Sequence, residues 1–191
     1  MSTIIIENVR ISYPHLWKKD AYGDSTPKYN AQFIINKKKN KAQVEQIEAV
    51  IEKLAEENHK GSRKSMYTPF VDGDELNETL DEDEQKVELG NAFKLTAKNS
   101  NKPAVVDNKT QRVDEEDPIG QRLTRGGDFV NAKIRFYYWQ RDSFKGVLAS
   151  LEAVQWASEG ELFGGSDESG PDFQVIEEDD LTAEEKEFLT Q

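Results

Sequence analysis

The chain has 191 residues, a formal net charge of −12 at pH 7, a mean hydropathy of −0.80 and 32% charged side chains. That is length for one well-cored domain plus an appendage, with part of the chain too polar to enter a core. With no cysteine, disulfides, thiolate zinc sites and cysteine nucleophiles are excluded. No stretch approaches the roughly 20 apolar residues of a membrane span, and "MSTIIIENVRISY" lacks the basic lead and long apolar core of a leader. A soluble, cytoplasmic protein with no membrane partner is expected.

Residues 3–13, "TIIIENVRISY", alternate as a strand, with Ile5, Val9, Ile11 and Tyr13 predicted on one face. "PHLWKKDAYGDSTP" reads as a loop bounded by Pro14 and Pro27. "KYNAQFIINK" alternates again, placing Tyr29, Ala31, Phe33 and Ile35 inward. From Asn40 to about Asn58 the period changes, and Val44, Ile47, Ile51 and Leu54 form one helical stripe that would pack on the sheet. Lys37, Lys38, Lys39 and Lys41 precede it as a basic cluster, either a solvated turn or an added phosphate contact.

Residues 61–90 are irregular and include "DGDELNETLDEDE". Its register does not fit an EF-hand, so it reads as a solvated acidic loop. "AFKLTAK" is a strand with Phe93, Leu95 and Ala97 inward and Lys94 and Lys98 outward. A long polar connection leads to "KIRFYYWQR", residues 133–141, and a short loop, "QRDSFKG", leads to "KGVLASLEAVQWA". That last segment suits a helix or a strand, and its closeness to the preceding strand favours a hairpin.

Most of the acidity lies at the end. Residues 157–191 carry twelve carboxylates against one lysine, whereas residues 1–156 are within about one charge of neutral. Two units are therefore expected: a body, 1–158, and a Gly/Ser-containing linker and acidic tail, 159–191. The tail is either a solvated run or an interaction segment, with Glu177, Glu178, Asp179 and Asp180 as its charge and Phe188 and Leu189 as its apolar anchors.

Little here suggests catalysis. His15 and His59 are the only histidines and neither has a nucleophile pattern around it. HExxH, GxSxG and nucleotide-binding glycine motifs are missing. No enzyme, cofactor or metal site is predicted. "KIRFYYWQR" differs in kind, since a period of two sends Ile134, Phe136 and Tyr138 to one face and Lys133, Arg135, Tyr137, Trp139 and Arg141 to the other. Two rings flanked by three cations suit single-stranded nucleic acid, where cations follow phosphates and rings stack on bases. The same residues also suit a solvated face whose cations pair with neighbouring carboxylates.

The order of "RISYPHLW", "KYNAQFIINK", "PFVDGDE", "AKNSNKPAVVD", "GGDFVNAKIRFYYW", "GVLASLEAVQWASEGELFGG" and "DFQV" resembles that of a family of phage-encoded single-stranded DNA-binding proteins. The resemblance implies a mainly β protein, a five-stranded OB-fold barrel with an inserted helix and a disordered acidic tail. It implies a protein that coats single-stranded DNA in phage replication, recombination or repair. DNA contacts would fall on Lys133, Arg135, Tyr137, Trp139 and Arg141, with Trp17 and Lys98 beside them. The tail would compete with DNA and recruit replication proteins. A homodimer is left open, as is the alternative of an acidic interaction module that mimics DNA and acts on a host protein.

Overall fold

In the computed structural model, which describes residues 1–21, 25–58 and 66–163, seven strands form one sheet. They are β1 (Ser2–Asp20), β2 (Lys28–Asn36), β3 (Phe70–Asp72), β4 (Ala92–Asn99), β5 (Ala104–Val106), β6 (Phe129–Arg141) and β7 (Phe144–Ser158), in the spatial order β3-β4-β2-β1-β6-β7-β5. Five are long and two have three residues each, so the expected five-strand OB-type body gains two short strands. All pairings are antiparallel except β5 with β7.

The ladder does not close into a continuous barrel, but its two sides are joined. Tyr67, just before β3, forms a parallel bridge with Gly146 of β7, and the Asn99 amide of β4 donates to the Leu151 carbonyl of β7 at 2.9 Å. The curled sheet encloses Ile6, Ile11, Leu16, Phe33, Ile35, Leu95, Ile134, Phe136 and Leu151, all fully buried. Helix α1 (Lys41–Asn58) packs against β1, β6 and β7 through the predicted stripe of Val44, Ile47, Ile51 and Leu54.

β1 departs most from its alternation. A register shift between Ile6 and Val9, with Asn8 at φ 53, inserts one residue and changes which side chains face inward. Ile4 and Ile6 are buried before it and Val9 and Ile11 after it, so Ile5 is exposed rather than inward. A second shift follows Ser12, and Tyr13, at φ 44, points to solvent. Because bulges bend a strand without ending it, "PHLWKKD" continues β1 instead of opening a loop.

The acidic run is also more ordered than expected. Asp72 caps α2 (Gly73–Glu78), accepting from the Asp74 N–H at 2.9 Å. Lys37 donates to Asp72 at 2.6 Å and to Asp74 at 2.7 Å. One lysine of the basic cluster is thereby spent on tying the turn after β2 to α2, and Lys41 lies 3.8 Å from Glu45. A turn of 3-10 helix (Val87–Leu89) follows, and α3 (Pro118–Arg122) sits in the long connection before β6.

Candidate nucleic-acid interface

The β6–β7 hairpin sorts its side chains as the period of two requires. Ile134 and Phe136 are fully buried opposite Leu151 and Ala149, while Tyr138 is half-buried and its hydroxyl donates to Gln140 at 3.1 Å. The turn is only two residues, because Arg141 pairs with Phe144 and Asp142 takes a positive φ of 54. This tight turn brings Phe144 next to Trp139, with ring centres 5.6 Å apart, and Tyr67 lies 5.6 Å from Phe144 on its other side. Trp139, Phe144 and Tyr67 form a row of rings that are 39%, 38% and 45% exposed.

The row depends on a glycine. A Cβ at Gly146 would lie 2.5 Å from the Tyr67 carbonyl and 2.7 Å from its side chain, so only glycine lets the Tyr67 segment approach β7. That segment is held by the Tyr67 N–H donating to Lys145 O and the Val147 N–H donating to Tyr67 O, both at 3.0 Å. Burial pushes the Tyr67 hydroxyl above its ordinary pKa, which keeps it a neutral donor.

Beside this row, Tyr137 and Tyr67 share a cleft with Lys28 of β2 and Thr96 and Lys98 of β4. The cleft continues along the outer faces of β4, β2 and β1, past Asn30, Gln32, His15 and Tyr13. The alternation that sends Ala31, Phe33, Leu95 and Ala97 inward leaves Lys28, Asn30, Gln32, Thr96 and Lys98 outside. Stacking rings at one end of a lysine-edged polar groove is an arrangement able to hold a flexible polyanion with flat bases.

The other predicted residues divide. Arg141 is exposed, and its one ion pair among the described residues is with the adjacent Asp142 at 3.6 Å. Arg135 is engaged, donating to Glu152 at 2.9 Å. Burial of Glu152 opposes its ionisation, but hydrogen bonds from Ser150 and Arg135 and the charges of Arg135 and Lys133 outweigh this and hold it below its ordinary pKa. Lys133 is exposed on this same carboxylate-bearing stretch. Trp17, on β1 between His15 and Asp20, has its ring packed on the core and its Nε1 buried without a partner among the described residues.

Arg122 is occupied too, with two hydrogen bonds to Asp128 at 2.9 and 2.7 Å. The tail residues Glu177, Glu178, Asp179, Asp180, Phe188 and Leu189, and also His59, lie outside the described residues. Among the described residues no group of His, Asp and Glu could hold a metal ion, and no helix is long and apolar enough to cross a membrane.

Sequence reasoning missed Tyr67, Phe144 and Lys28. Phe144 was within reach, since a two-residue turn after Arg141 carries the alternation of β6 straight into it. Tyr67 carries no local signal, because a bridge 79 positions away places it.

A family model described as the ssDNA-binding protein of Enterobacter phage Enc34 matches residues 2–188. A curated protein named putative protein p50, from Acyrthosiphon pisum secondary endosymbiont phage 1, is 32% identical over 192 residues, covering 97% of this chain and 98% of its own. The solved single-stranded DNA-binding protein from bacteriophage Enc34 in complex with ssDNA is similar at a TM-score of 0.71 and 26% identity, covering 85% of this chain and 89% of that one. A further structure of the Enc34 protein gives a TM-score of 0.67 at 25% identity, covering 86% of each chain. The chain therefore belongs to the family of phage single-stranded DNA-binding proteins represented by that of Enterobacter phage Enc34.

Proposed function

We propose that this protein binds single-stranded DNA, largely without regard to sequence, by stacking bases on Tyr137, Trp139, Phe144 and Tyr67 and running the backbone along the groove edged by Lys28 and Lys98. The observation that carries the reading is the exposed ring row opening into that groove. Family membership and the ssDNA complex of the Enc34 protein support it. Exposed aromatic rings cost hydration in the free protein, and a base face covers them at about 1–3 kcal/mol per stack. Coating of single strands in phage replication, recombination or repair is the role this activity would serve, with no catalytic step required of the chain.

The unit that does this is the body, 1–158, and the acidic segment 159–191 acts on it. The residues from 164 onward carry ten carboxylates and one lysine, tethered to a near-neutral body. At short range such a segment competes with DNA phosphates for the same lysines, and the competition is screened by salt. Its apolar anchors, Phe188 and Leu189, are the features a replication partner would read.

Titration of the full chain with oligo-dT, followed by tryptophan fluorescence, tests the reading. Quenching that saturates and weakens steeply with salt is the expected result, and deletion of 164–191 should tighten it most at low salt. An oligonucleotide that leaves the fluorescence and the sedimentation of the protein unchanged overturns the proposal.

A further inference from the structure

The outer face of the sheet carries a second cavity that the ring row and its cleft do not include. It holds about 490 Å³ and is bounded by Ile34, Leu76, Leu80 and Leu89 on one side and by Tyr13, Lys86 and Lys94 on the other, with Glu84 and Glu88 also lining it. The size falls within the range of small-ligand sites, about 300–1,000 Å³. The walls come from local rules. Lys94 and Ile34 face each other across β4 and β2 on the side opposite the core. Lys86 reaches Tyr13 because the bulge turns that ring outward, and its ammonium donates to the Tyr13 hydroxyl at 2.8 Å while lying 4.5 Å from the ring centre.

Two lysines share this cavity, and among the described residues neither has an ion pair. Burial, and then the like charge of Lys86, lower the pKa of Lys94. Lys37 and Arg122, by contrast, are matched, Lys37 by Asp72 and Asp74 and Arg122 by Asp128 and Glu159. Glu84 and Glu88 line the same cavity without forming an ion pair to either lysine, so two ammoniums over an apolar floor leave room for an anion that also carries an apolar body.

The cavity is continuous with the proposed DNA path. Tyr13 and Gln32 line both it and the polar groove, and that groove shares Lys28, Thr96 and Lys98 with the ring cleft. Along β4, Lys98 and Lys94 are four residues apart, about 13 Å at roughly 3.3 Å per residue. We infer that this cavity is a second nucleotide seat on the same strand of DNA, with a phosphate between Lys86 and Lys94 and the base against Ile34, Leu76, Leu80 and Leu89.

The inference rests on the ssDNA-binding reading, and length dependence separates the two. Lys86→Gln with Lys94→Met, made in the full chain, should leave the affinity for a short oligo-dT of about 4 nucleotides unchanged and weaken that for one of about 16 nucleotides by roughly tenfold. Those lengths bracket the span of a single OB-type site. The salt slope on the longer strand should fall by about 0.7, the contribution of the one phosphate seated between the two lysines. Leu80→Asp, which places a carboxylate on the apolar wall without touching the lysines, should give the same length-dependent loss. Thermal unfolding of each variant checks that the body is intact.

Equal loss on short and long strands, or no loss on the long one, overturns the seat. A synthetic peptide of residues 171–191, titrated in parallel, covers the other class of ligand. Variants that bind it more weakly while holding long DNA normally make the cavity a seat for acidic peptides and overturn the inference. Absence of any binding to the short strand by the unaltered protein would instead remove the ring-stacking reading.

Discussion

Where the described chain ends, Arg10 lies 4.0 Å from the centre of the Phe163 ring and donates to the carbonyls of Gly127 and Glu161. Close by, Asp128 accepts from Arg122, from the Trp156 indole at 2.9 Å and from the Gly160 N–H at 3.0 Å. At the tip of the β6–β7 hairpin, Trp139, Phe144 and Tyr67 also stand beside cations, but the rings are substantially exposed and, among the described residues, Arg141 has only its own neighbour Asp142 for an ion-pair partner. Aromatic and cationic residues build both regions. At the first the two arginines, the indole and the carboxylate are bonded to one another or to backbone and the rings are partly buried, so the cluster stabilises. At the second both are left open, so the cluster can bind. Residue type does not decide between these uses; the account of partners does.

The largest effect that would test this contrast is expected from Asp128→Ala. It strips three donors of their acceptor and leaves the Arg122 guanidinium facing a buried gap. Removing one member of such a pair typically costs about 3–5 kcal/mol, read here as a lower urea midpoint. Affinity for DNA, measured where the variant is still folded, should match that of the unaltered protein. A loss of affinity exceeding the loss of stability would mean that the two regions are coupled and that the contrast is drawn in the wrong place.

Trp139→Ala and Tyr137→Ala should do the opposite. Each is expected to weaken binding to oligo-dT by about 1–3 kcal/mol, while stability changes by no more than about 0.5–1 kcal/mol, as for most surface positions. Affinity unchanged in both variants would remove the stacking model, whatever else binds DNA.

The contrast also shows what the amino-acid pattern could and could not reveal. Helix α1 and the inward face of β2, β4 and β6 were legible because burial there follows a strict period, and Val44, Ile47, Phe33, Leu95 and Phe136 obey it. β1 was legible only in part, since bulges at Asn8 and after Ser12 break the period locally and leave no mark beyond a tolerant asparagine. In the site, Tyr137, Trp139 and Arg141 could be read off β6. That Arg135 is answered by Glu152, or that Trp17 faces the core, depends on neighbours 17 residues away in the first case and on a bent strand in the second. Tertiary pairing decided which cations were free.

Acid should distinguish the regions as well. Burial works against ionisation of Asp128, but the hydrogen bonds from Arg122, Gly160 and Trp156 outweigh it and hold the carboxylate below its ordinary pKa. A depressed folded-state value means the group stabilises the fold above the unfolded value and that this contribution is lost as pH falls from there through the folded one. Below about pH 4, the ordinary carboxylate range, the unaltered protein should lose stability more steeply than Asp128→Asn. Parallel pH profiles would show that other carboxylates govern acid unfolding.

The smallest expected effect concerns Arg135, which lies between the two regimes. It sits on the outward face of β6 with Tyr137 and Trp139, yet Glu152 holds it at 2.9 Å, and both partners are partly exposed. Exposed pairs of this kind contribute about 0–1 kcal/mol, so Arg135→Ala should change stability little. DNA affinity should fall less than for Trp139→Ala, because a phosphate must displace Glu152 before the guanidinium can meet it. Glu152→Gln removes that competitor and one negative charge from the face, so affinity should rise by a few-fold at low salt and the salt dependence should steepen. In the Glu152→Gln background, Arg135→Ala should then cost more than it does in the unaltered protein. A double-mutant cycle measures that difference directly. A coupling of zero would mean that Arg135 meets DNA in spite of Glu152, and that an answered cation on this face is as available as an open one.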